Sequence, residues 1–310
     1  MTLWAATFHS EGMAAIHQII AREGIDAARK QAVSPHERAV VEAAFRVMSE
    51  EVESIGFSYS GFALTSLPHK EPNETVWRRE GHNLTLVLQS GTDRKGNLVG
   101  LPYGSYARFI LLFLQSEAVR TGLREIELGR SMKVWLGRMG FSIGGNSYRL
   151  VKDQAQRISV CRLTFFGGHG DLEALRNGGF VEGAITLHGS VEQPSLWQDS
   201  VRLDEAFFQA LREHPVPLNE GALKAIGPRS MTLDIYIWLA YRLHSLKKDT
   251  DVSWGALYSQ FGGGFKRLRA FRSQFVESLQ LALAAYPEAR VSATETGITL
   301  HPSKPAIAKA

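Results

Sequence analysis

The stretch that decides the fold lies at residues 254–285 and reads WGALYSQFGGGFKRLRAFRSQFVESLQLALAA. Three consecutive glycines at positions 262–264 predict a turn between a short helix that ends near residue 261 and a long helix over 265–285. The long helix carries apolar residues three or four positions apart, which predict its packing stripe: Leu268, Phe271, Phe275, Leu279 and Ala282. A short helix, a tight turn and a longer helix are typical of a helix-turn-helix unit.

The elements on either side of this unit indicate a winged helix. The sequence predicts a helix over 232–246 and a strand over 251–254 before it, and a hairpin of strands 290–293 and 297–300 after it. The same order occurs earlier in the chain, with helices predicted over 105–121, 131–139 and 147–160, a turn at Gly144 and Gly145, and strands over 124–128, 161–166 and 180–188. The repeat predicts two tandem winged-helix domains, each a helix-turn-helix flanked by a β-hairpin wing.

The N-terminal region predicts helices without recognisable chemistry. A short helix is expected over 12–28. Ser34 can cap a second helix whose first residue is Pro35, and Glu37 can reach back to that cap. The apolar residues of the second helix recur at helical spacing: Val41, Ala44, Phe45, Met48 and Val52.

Together these elements predict a mainly helical α+β fold in three parts. We expect an N-terminal helical extension over residues 1–56, a first winged-helix domain over 57–193 and a second over 194–310. In the first domain, leucines at positions 84, 86 and 88 alternate with polar residues and predict a half-buried strand. Residues 194–200 are expected to be a linker ahead of a helix over 201–213.

Composition limits the classes of function. The 310 residues suffice for two domains, and the single cysteine, Cys161, excludes an internal disulfide and fits a reducing cytoplasm. No apolar run approaches the roughly 20 residues that span a bilayer, so we expect a cytoplasmic protein without a membrane partner. The first 60 residues hold 5 basic and 8 acidic side chains, whereas the remainder is basic. A basic body suggests a polyanionic partner.

The candidate DNA-reading residues lie at the start of the 265–285 helix. In a helix-turn-helix the second helix enters the major groove, so its free face must offer hydrogen-bond donors. The residues predicted to do so are Lys266, Arg267, Arg269, Arg272 and Ser273. The alternative is an ordinary solvated basic face. Because cations are mildly disfavoured at a helix N-terminus, stability alone does not explain their position there.

The equivalent helix of the first domain predicts a weaker contact. Val151, Ala155 and Ile158 are expected to pack, and the outward residues are Arg149, Lys152, Gln156 and Arg157. Because Asp153 lies among them, we expect this helix to contact phosphates rather than to read bases.

The sequence lacks three motifs of enzyme chemistry: a G-x-x-x-x-G-K-[ST] phosphate loop, an H-E-x-x-H zinc motif and a histidine–hydrophobe–histidine metal motif. We therefore expect no enzyme activity, no metal and no cofactor.

Four blocks of sequence resemble the RepA-like family of plasmid-encoded replication initiators. They are LPYGSYARFILLFLQSEAVRTGLREIELGRSMKVWLGRMGFSIGG at 101–145, RISVCRLTFF at 157–166, HPVPLNEGALKAIGPRSMTLDIYIWLAYRL at 214–243 and TETGITLHPSKP at 294–305. The resemblance covers about residues 80–305 and leaves out the N-terminal helices.

This resemblance implies a function in plasmid replication. Such a protein would bind repeated sites (iterons) in double-stranded origin DNA, help to melt the adjacent duplex and help to load the replicative helicase alongside the host initiator. It also implies a possible homodimer, and it matches Lys266, Arg267, Arg269 and Arg272 to the second-domain recognition helix. The alternative is a winged-helix transcriptional repressor that binds an operator without initiating replication, since the fold alone does not separate the two functions.

Overall fold

A computed structural model describes residues 10–49, 55–128, 137, 141, 145–167, 178–183, 185 and 200–307. These residues form the mixed fold of helices and sheets that the sequence predicts. The chain divides into two compact units. One consists of Met1–Ile55 with Val216–Ala310, and the other of Gly56–Pro215. We call them the terminal unit and the central unit.

The described part of the chain contains helices and strands with the following bounds. The helices are α1 (Ser10–Glu23), α2 (Ile25–Gln31), α3 (Pro35–Ser49), α4 (Ser60–Leu64), α5 (Gly104–Thr121), α6 (Gly145–Val160), α7 (Glu205–Glu213), α8 (Glu220–Ile226), α9 (Ser230–Arg242), α10 (Trp254–Phe261) and α11 (Leu268–Ala284). The strands are β1 (Ile55–Tyr59), β2 (Val76–Glu80), β3 (Leu84–Gln89), β4 (Glu125–Glu127), β5 (Arg162–Gly167), β6 (Gly178–Gly179), β7 (Val181–Glu182), β8 (Ser200–Leu203), β9 (Pro215–Asn219), β10 (Thr250–Ser253), β11 (Val291–Ala293) and β12 (Gly297–Leu300).

The central unit contains the long helix α5, which is buried along most of its length. One sheet has the strand order β2-β3-β5-β6, and a second has the order β4-β8-β7. The predicted alternation in β3 is confirmed, because Leu84, Leu86 and Leu88 are all buried.

The strands that close the central unit differ from the prediction. β5 pairs along its whole length with β3, because Leu163 and Phe165 complete the buried face that β3 begins. In place of a hairpin between 161–166 and 180–188, β7 pairs with β8, and β8 pairs with β4.

The helix predicted over 201–213 begins later than expected. The backbone at Ser200–Leu203 is extended because it pairs with β4 as strand β8. The side chain of Asp204 then accepts a hydrogen bond of 3.1 Å from the backbone N–H of Phe207 and caps α7. Residues 194–199 of the expected linker lie outside the described residues, as does the expected helix over 131–139 apart from Gly137.

The terminal unit follows the predicted order of α9, β10, α10, α11 and a hairpin. The hairpin expected at 290–293 and 297–300 is confirmed to within one residue. Strand β12 lies between β10 and β11 and is antiparallel to both. The sheet β4-β8-β7 of the central unit has the same arrangement, in which the second hairpin strand pairs with the strand that follows the long helix.

Each unit also uses one buried polar side chain of its long helix to hold the start of a short helix. In the central unit the backbone N–H of Tyr59, just before α4, donates to Oε1 of Gln115 on α5 over 2.7 Å. In the terminal unit the N–H of Asn219, just before α8, donates to the hydroxyl of Tyr236 on α9 over 3.0 Å. The repeat therefore extends upstream of the long helix, which the sequence pattern did not predict.

The N-terminal helices share a core with the far end of α11. Residues of α1, α2 and α3 pack with Leu281 and Ala284 of α11. The imidazole Nε2 of His17 lies 3.0 Å from the carbonyl oxygen of Ala284, and that of His36 lies 2.9 Å from Oε1 of Gln280. The helices thus brace the end of α11 that is remote from the glycine turn.

The local prediction for these helices is confirmed at the cap and partly wrong along the stripe. The Oγ of Ser34 accepts from the N–H of Glu37 (3.1 Å), and a carboxylate oxygen of Glu37 accepts from the N–H of Ser34 (2.8 Å). The helix expected over 12–28 is divided at Gly24, where φ is +83°.

The face of α3 that packs differs from the predicted stripe. The buried face of α3 consists of Val40, Val41, Ala43 and Ala44, which pack in the core that α3 shares with α1, α2 and α11. Phe45 and Met48 are consequently exposed. Val52 lies outside the described residues.

Gly297 brings β12 so close to β10 that a side chain does not fit. A Cβ atom at this position would lie 2.0 Å from the carbonyl oxygen of Val252. We expect Gly297→Ala to lower the free energy of unfolding by about 1–3 kcal/mol, as overpacking does, when measured by urea denaturation. Gly255→Ala on α10 is the matched control, because its nearest neighbour is the Oγ of Ser253 at 3.8 Å. Equal stability of the two variants would contradict this close approach.

Candidate nucleic-acid interface

A hydrogen-bonded turn shapes the start of α11. The N–H of Phe265 donates to the carbonyl of Gly262 over 3.0 Å, and Gly264 has a φ of +92°. The hydroxyl of Tyr258 on α10 donates to the carbonyl of Phe265 and ties the end of the turn to the preceding helix. Gly262 is required by this packing, because a Cβ there would lie 2.5 Å from the carbonyl oxygen of Tyr258.

The helix itself begins later than the sequence predicts. It starts at Leu268 instead of residue 265, because the turn continues to Arg267, whose φ of −137° is extended. Lys266 and Arg267 therefore lie in the turn, and Arg269 lies in the first helical turn. The carbonyl of Arg267 accepts the N–H of Phe271 over 3.2 Å, so Arg267 occupies the N-cap position.

The turn and the first helical turn present cations to solvent. Lys266, Arg267 and Arg269 are exposed, as is Ser273 one turn further on. Within the described part of the chain, none of these three cations forms an ion pair. They lie at the positive end of the α11 dipole, which adds to their charge. This surface therefore suits a polyanion, and we call it the cationic start of α11.

The packing stripe of α11 is confirmed except at its first member. Phe271, Phe275, Leu279 and Ala282 are buried. Leu268 is 43% exposed, because the first residue of the helix extends beyond the core. An apolar side chain thus lies among the cations, where the sequence predicted a core residue.

Arg272 differs from the other four residues that the sequence predicts as the DNA contacts of the terminal unit. It is partly buried, and its guanidinium contacts the turn of the β11–β12 hairpin instead of projecting freely. The turn itself, Thr294 to Thr296, is exposed beside it. These three residues were not among the predicted site residues, although T-E-T-G between two alternating strands is typical of a hairpin turn.

The central unit presents a smaller polar face on α6. Val151, Ala155 and Ile158 are buried, as predicted. Arg149, Lys152 and Gln156 are exposed and share a face, since they are three and four residues apart. The guanidinium of Arg149 donates to the side-chain oxygen of Asn146 over 3.1 Å. Gly145, expected in the turn, is the first residue of α6, and Gly144 lies outside the described residues.

Arg157 is fastened to the body of the central unit. It forms ion pairs with Glu71 (2.6 Å) and Asp153 (3.0 Å), and its side chain is only 11% exposed. It also donates to the carbonyl of Leu101 over 3.3 Å, and its guanidinium carbon lies 5.1 Å from the centre of the Tyr103 ring. These contacts fasten α6 to the segment that precedes α5.

The described residues were compared with three other kinds of site: a reactive thiol, a metal centre and a membrane-spanning helix. Burial raises the pKa of the Cys161 thiol to about 12, so the thiol stays protonated at neutral pH. The described ranges contain no group of three or more histidine, cysteine or carboxylate side chains placed to hold a metal ion. None of their helices is long and apolar enough to cross a membrane.

Comparison with known proteins identifies the class. The family model described as "Plasmid encoded RepA protein" matches residues 101–256, about half of the chain. No curated protein gives a significant match. The chain therefore belongs to the RepA family of plasmid replication initiators, which confirms the resemblance seen in the sequence.

Two solved structures show a partial similarity to the chain. One is the selenomethionine derivative of domains 2 and 3 of RctB, with a TM-score of 0.48 and 12% identity over 81% of this chain and 99% of that chain. The other is a structure of RctB domains 2–3, with a TM-score of 0.41 and 13% identity over 78% of this chain and 94% of that chain.

Two measurements distinguish the DNA-contacting role expected of Lys152 from the structural role expected of Arg157. We expect Arg157→Ala to lower the free energy of unfolding by about 1–3 kcal/mol, because it removes a mostly buried guanidinium with its hydrogen bonds to charged groups and its packing on Tyr103. Lys152→Ala is expected to change stability by less than about 0.5 kcal/mol. It should instead reduce the slope of log affinity for duplex DNA against log salt by about 0.9, the value for one phosphate contact.

The reverse pattern would contradict these assignments. A stable Arg157→Ala variant with a reduced salt slope would make Arg157 a phosphate contact. A Lys152→Ala variant with an unchanged slope would remove this part of α6 from the interface.

Proposed function

We propose that this protein initiates plasmid replication by binding repeated sites in double-stranded origin DNA through two winged-helix domains. The proposal rests on one observation: three exposed cations, for which the described residues provide no ion-pair partner, lie where a glycine turn meets the start of α11, in a member of a family of plasmid replication initiators. The order of the described elements in the terminal unit supports the proposal, because a helix, a strand, two further helices and a hairpin follow one another as in a winged helix.

In this proposal the cationic start of α11 enters the major groove. Arg269 is the base-reading residue, since a guanidinium can donate two parallel hydrogen bonds to guanine. Lys266 and Arg267 neutralise phosphates, and Ser273 donates from the next turn. Arg149, Lys152 and Gln156 on α6 contact phosphates, which fix the register of the protein on the duplex without reading its sequence.

Initiation follows from the binding of several copies to adjacent repeats. Each bound copy contributes free energy that can distort a neighbouring duplex, and AT-rich DNA requires the least. The melted segment then receives the replicative helicase with the help of the host initiator. We further propose that a homodimer forms away from the origin and that the protein acts in the cytoplasm without a cofactor or enzymatic step.

Arg269→Ala tests the base-reading role. We expect the variant to lose about 1–3 kcal/mol of affinity for a duplex selected from a random pool by the wild-type protein, the range for one good base contact. Arg46→Ala is the matched control, because Arg46 is an exposed arginine on α3 and the substitution removes the same charge. Fluorescence anisotropy at several salt concentrations gives both affinities. Equal affinities of the two variants would mean that α11 does not read the duplex.

A replication assay separates the initiator from the repressor. The gene is placed on a plasmid that has its flanking DNA but no other initiator. We expect the wild-type gene to sustain the plasmid and the Arg269→Ala gene to fail. Specific duplex binding by the wild-type protein with no replication, and with repression of its own promoter, would favour the repressor.

A further inference from the structure

The turn of the β11–β12 hairpin is held by two side chains that converge on one carbonyl. The oxygen of Glu295 accepts a hydrogen bond from Nη2 of Arg272 on α11 over 3.1 Å. It also accepts one from Nε1 of Trp254 on α10, again over 3.1 Å. One backbone atom of the hairpin turn is thus tied to both helices that flank the glycine turn.

The two donors also contact each other. The guanidinium carbon of Arg272 lies 4.8 Å from the centre of the Trp254 ring, a cation–π distance. Trp254 is 6% exposed and packs edge-on against the buried ring of Phe275, with the ring centres 6.0 Å apart. The donor pair is therefore anchored in the core of the terminal unit, so it can fix the position of the turn.

Backbone hydrogen bonds of the turn add to the contacts of Arg272 and Trp254 with Glu295, and we call all of these contacts together the clamp. The N–H of Trp254 donates to the carbonyl of Thr296 over 3.0 Å. Within the turn, the N–H of Thr294 donates to the carbonyl of Gly297 (2.9 Å), and the N–H of Gly297 donates to Oγ1 of Thr294 (3.0 Å). A rigid turn is consequently fastened to the start of α10 and to the first turns of α11.

We infer that Arg272 is a positioning residue that sets the hairpin turn relative to the cationic start of α11, and that it does not contact DNA phosphate. This inference rests on the proposed function, since the hairpin is placed for a duplex. Arg272 differs from Lys266, Arg267 and Arg269 in being partly buried and in having its charge placed over an aromatic ring. Its role is to make the turn and the helix present one fixed surface.

Amide hydrogen exchange of the full chain without DNA tests the clamp. The probes are the amides of Thr294 and Gly297 in the turn and of Trp254 on α10. In Arg272→Ala we expect their exchange to accelerate by about fivefold to tenfold, which corresponds to the loss of one hydrogen bond. Arg272→Lys should accelerate it similarly, because an ammonium lacks the planar fork that both donates to Glu295 and stacks on the ring.

Salt-dependent binding to a duplex selected from a random pool supplies the second measurement. Arg272→Lys keeps the charge, so it would rescue a phosphate contact but not the clamp. We expect both Arg272 variants to bind more weakly than wild type with an unchanged salt slope. Arg269→Ala is the opposite control, because it should weaken binding without changing the exchange of the turn.

Each outcome has a defined meaning. Unchanged exchange in Arg272→Ala would overturn the inference, whatever happens to DNA binding. A salt slope lowered by about 0.9 in Arg272→Ala and restored in Arg272→Lys would make Arg272 a phosphate contact. If Arg272→Ala fails to fold, Trp254→Phe replaces it, since it removes only the second donor to Glu295 and should accelerate exchange at the same amides. Accelerated exchange in a protein that binds no duplex would leave the clamp standing and refute the proposed function.

Discussion

Three cations at the positive end of a helix repel its dipole, and the terminal unit is built to hold them there. Cations at this end of a helix reduce its stability by a few tenths of a kcal/mol or more each. The hydrophobic stripe of α11 offsets that cost, with Phe271 and Phe275 fully buried. The glycine turn, fastened by Tyr258, prevents the chain from relaxing away from α10. At the other end, the N-terminal helices brace α11 through Leu281 and Ala284. Both ends of the helix are therefore fixed, while the cations at its start stay exposed to solvent.

In each unit an arginine joins a helix to the surrounding fold. In the terminal unit Arg272 joins α11 to the hairpin turn, and in the central unit Arg157 joins α6 to Glu71 and Tyr103. Both arginines have an aromatic ring beneath the guanidinium and a backbone carbonyl to receive a donor. A rigid connection of the helix to its surroundings matters for recognition, since misplaced donors lose their hydrogen bonds. The two units differ in their exposed charges: three cations lie at the start of α11 and have no ion-pair partner among the described residues, whereas the exposed face of α6 carries fewer charges.

Sequence patterns predicted the order of elements and failed where tertiary contacts decide the local conformation. Alternation predicted β3 and the last hairpin, and the spacing of apolar residues predicted the stripe of α11, because periodicity directly reflects which side faces the core. The start of α11 was misplaced, since the hydrogen bond from Tyr258 to Phe265 extends the turn and no local residue signals it. Arg157 and Arg272 could not be separated from the exposed cations, because their partners lie far away in sequence. Strand β8 was read as helix, since its extended backbone depends on pairing with β4.

We propose that the start of α11 lies in a groove of the duplex. A photo-crosslinking side chain at Ala270, which is exposed next to Arg269, tests this most directly. The control carries the same side chain at Lys30, an exposed position on α2. With a duplex selected by the wild-type protein, the account predicts crosslinks to bases from position 270 and none from position 30. Equal or absent crosslinking at the two positions, with binding intact, would contradict it.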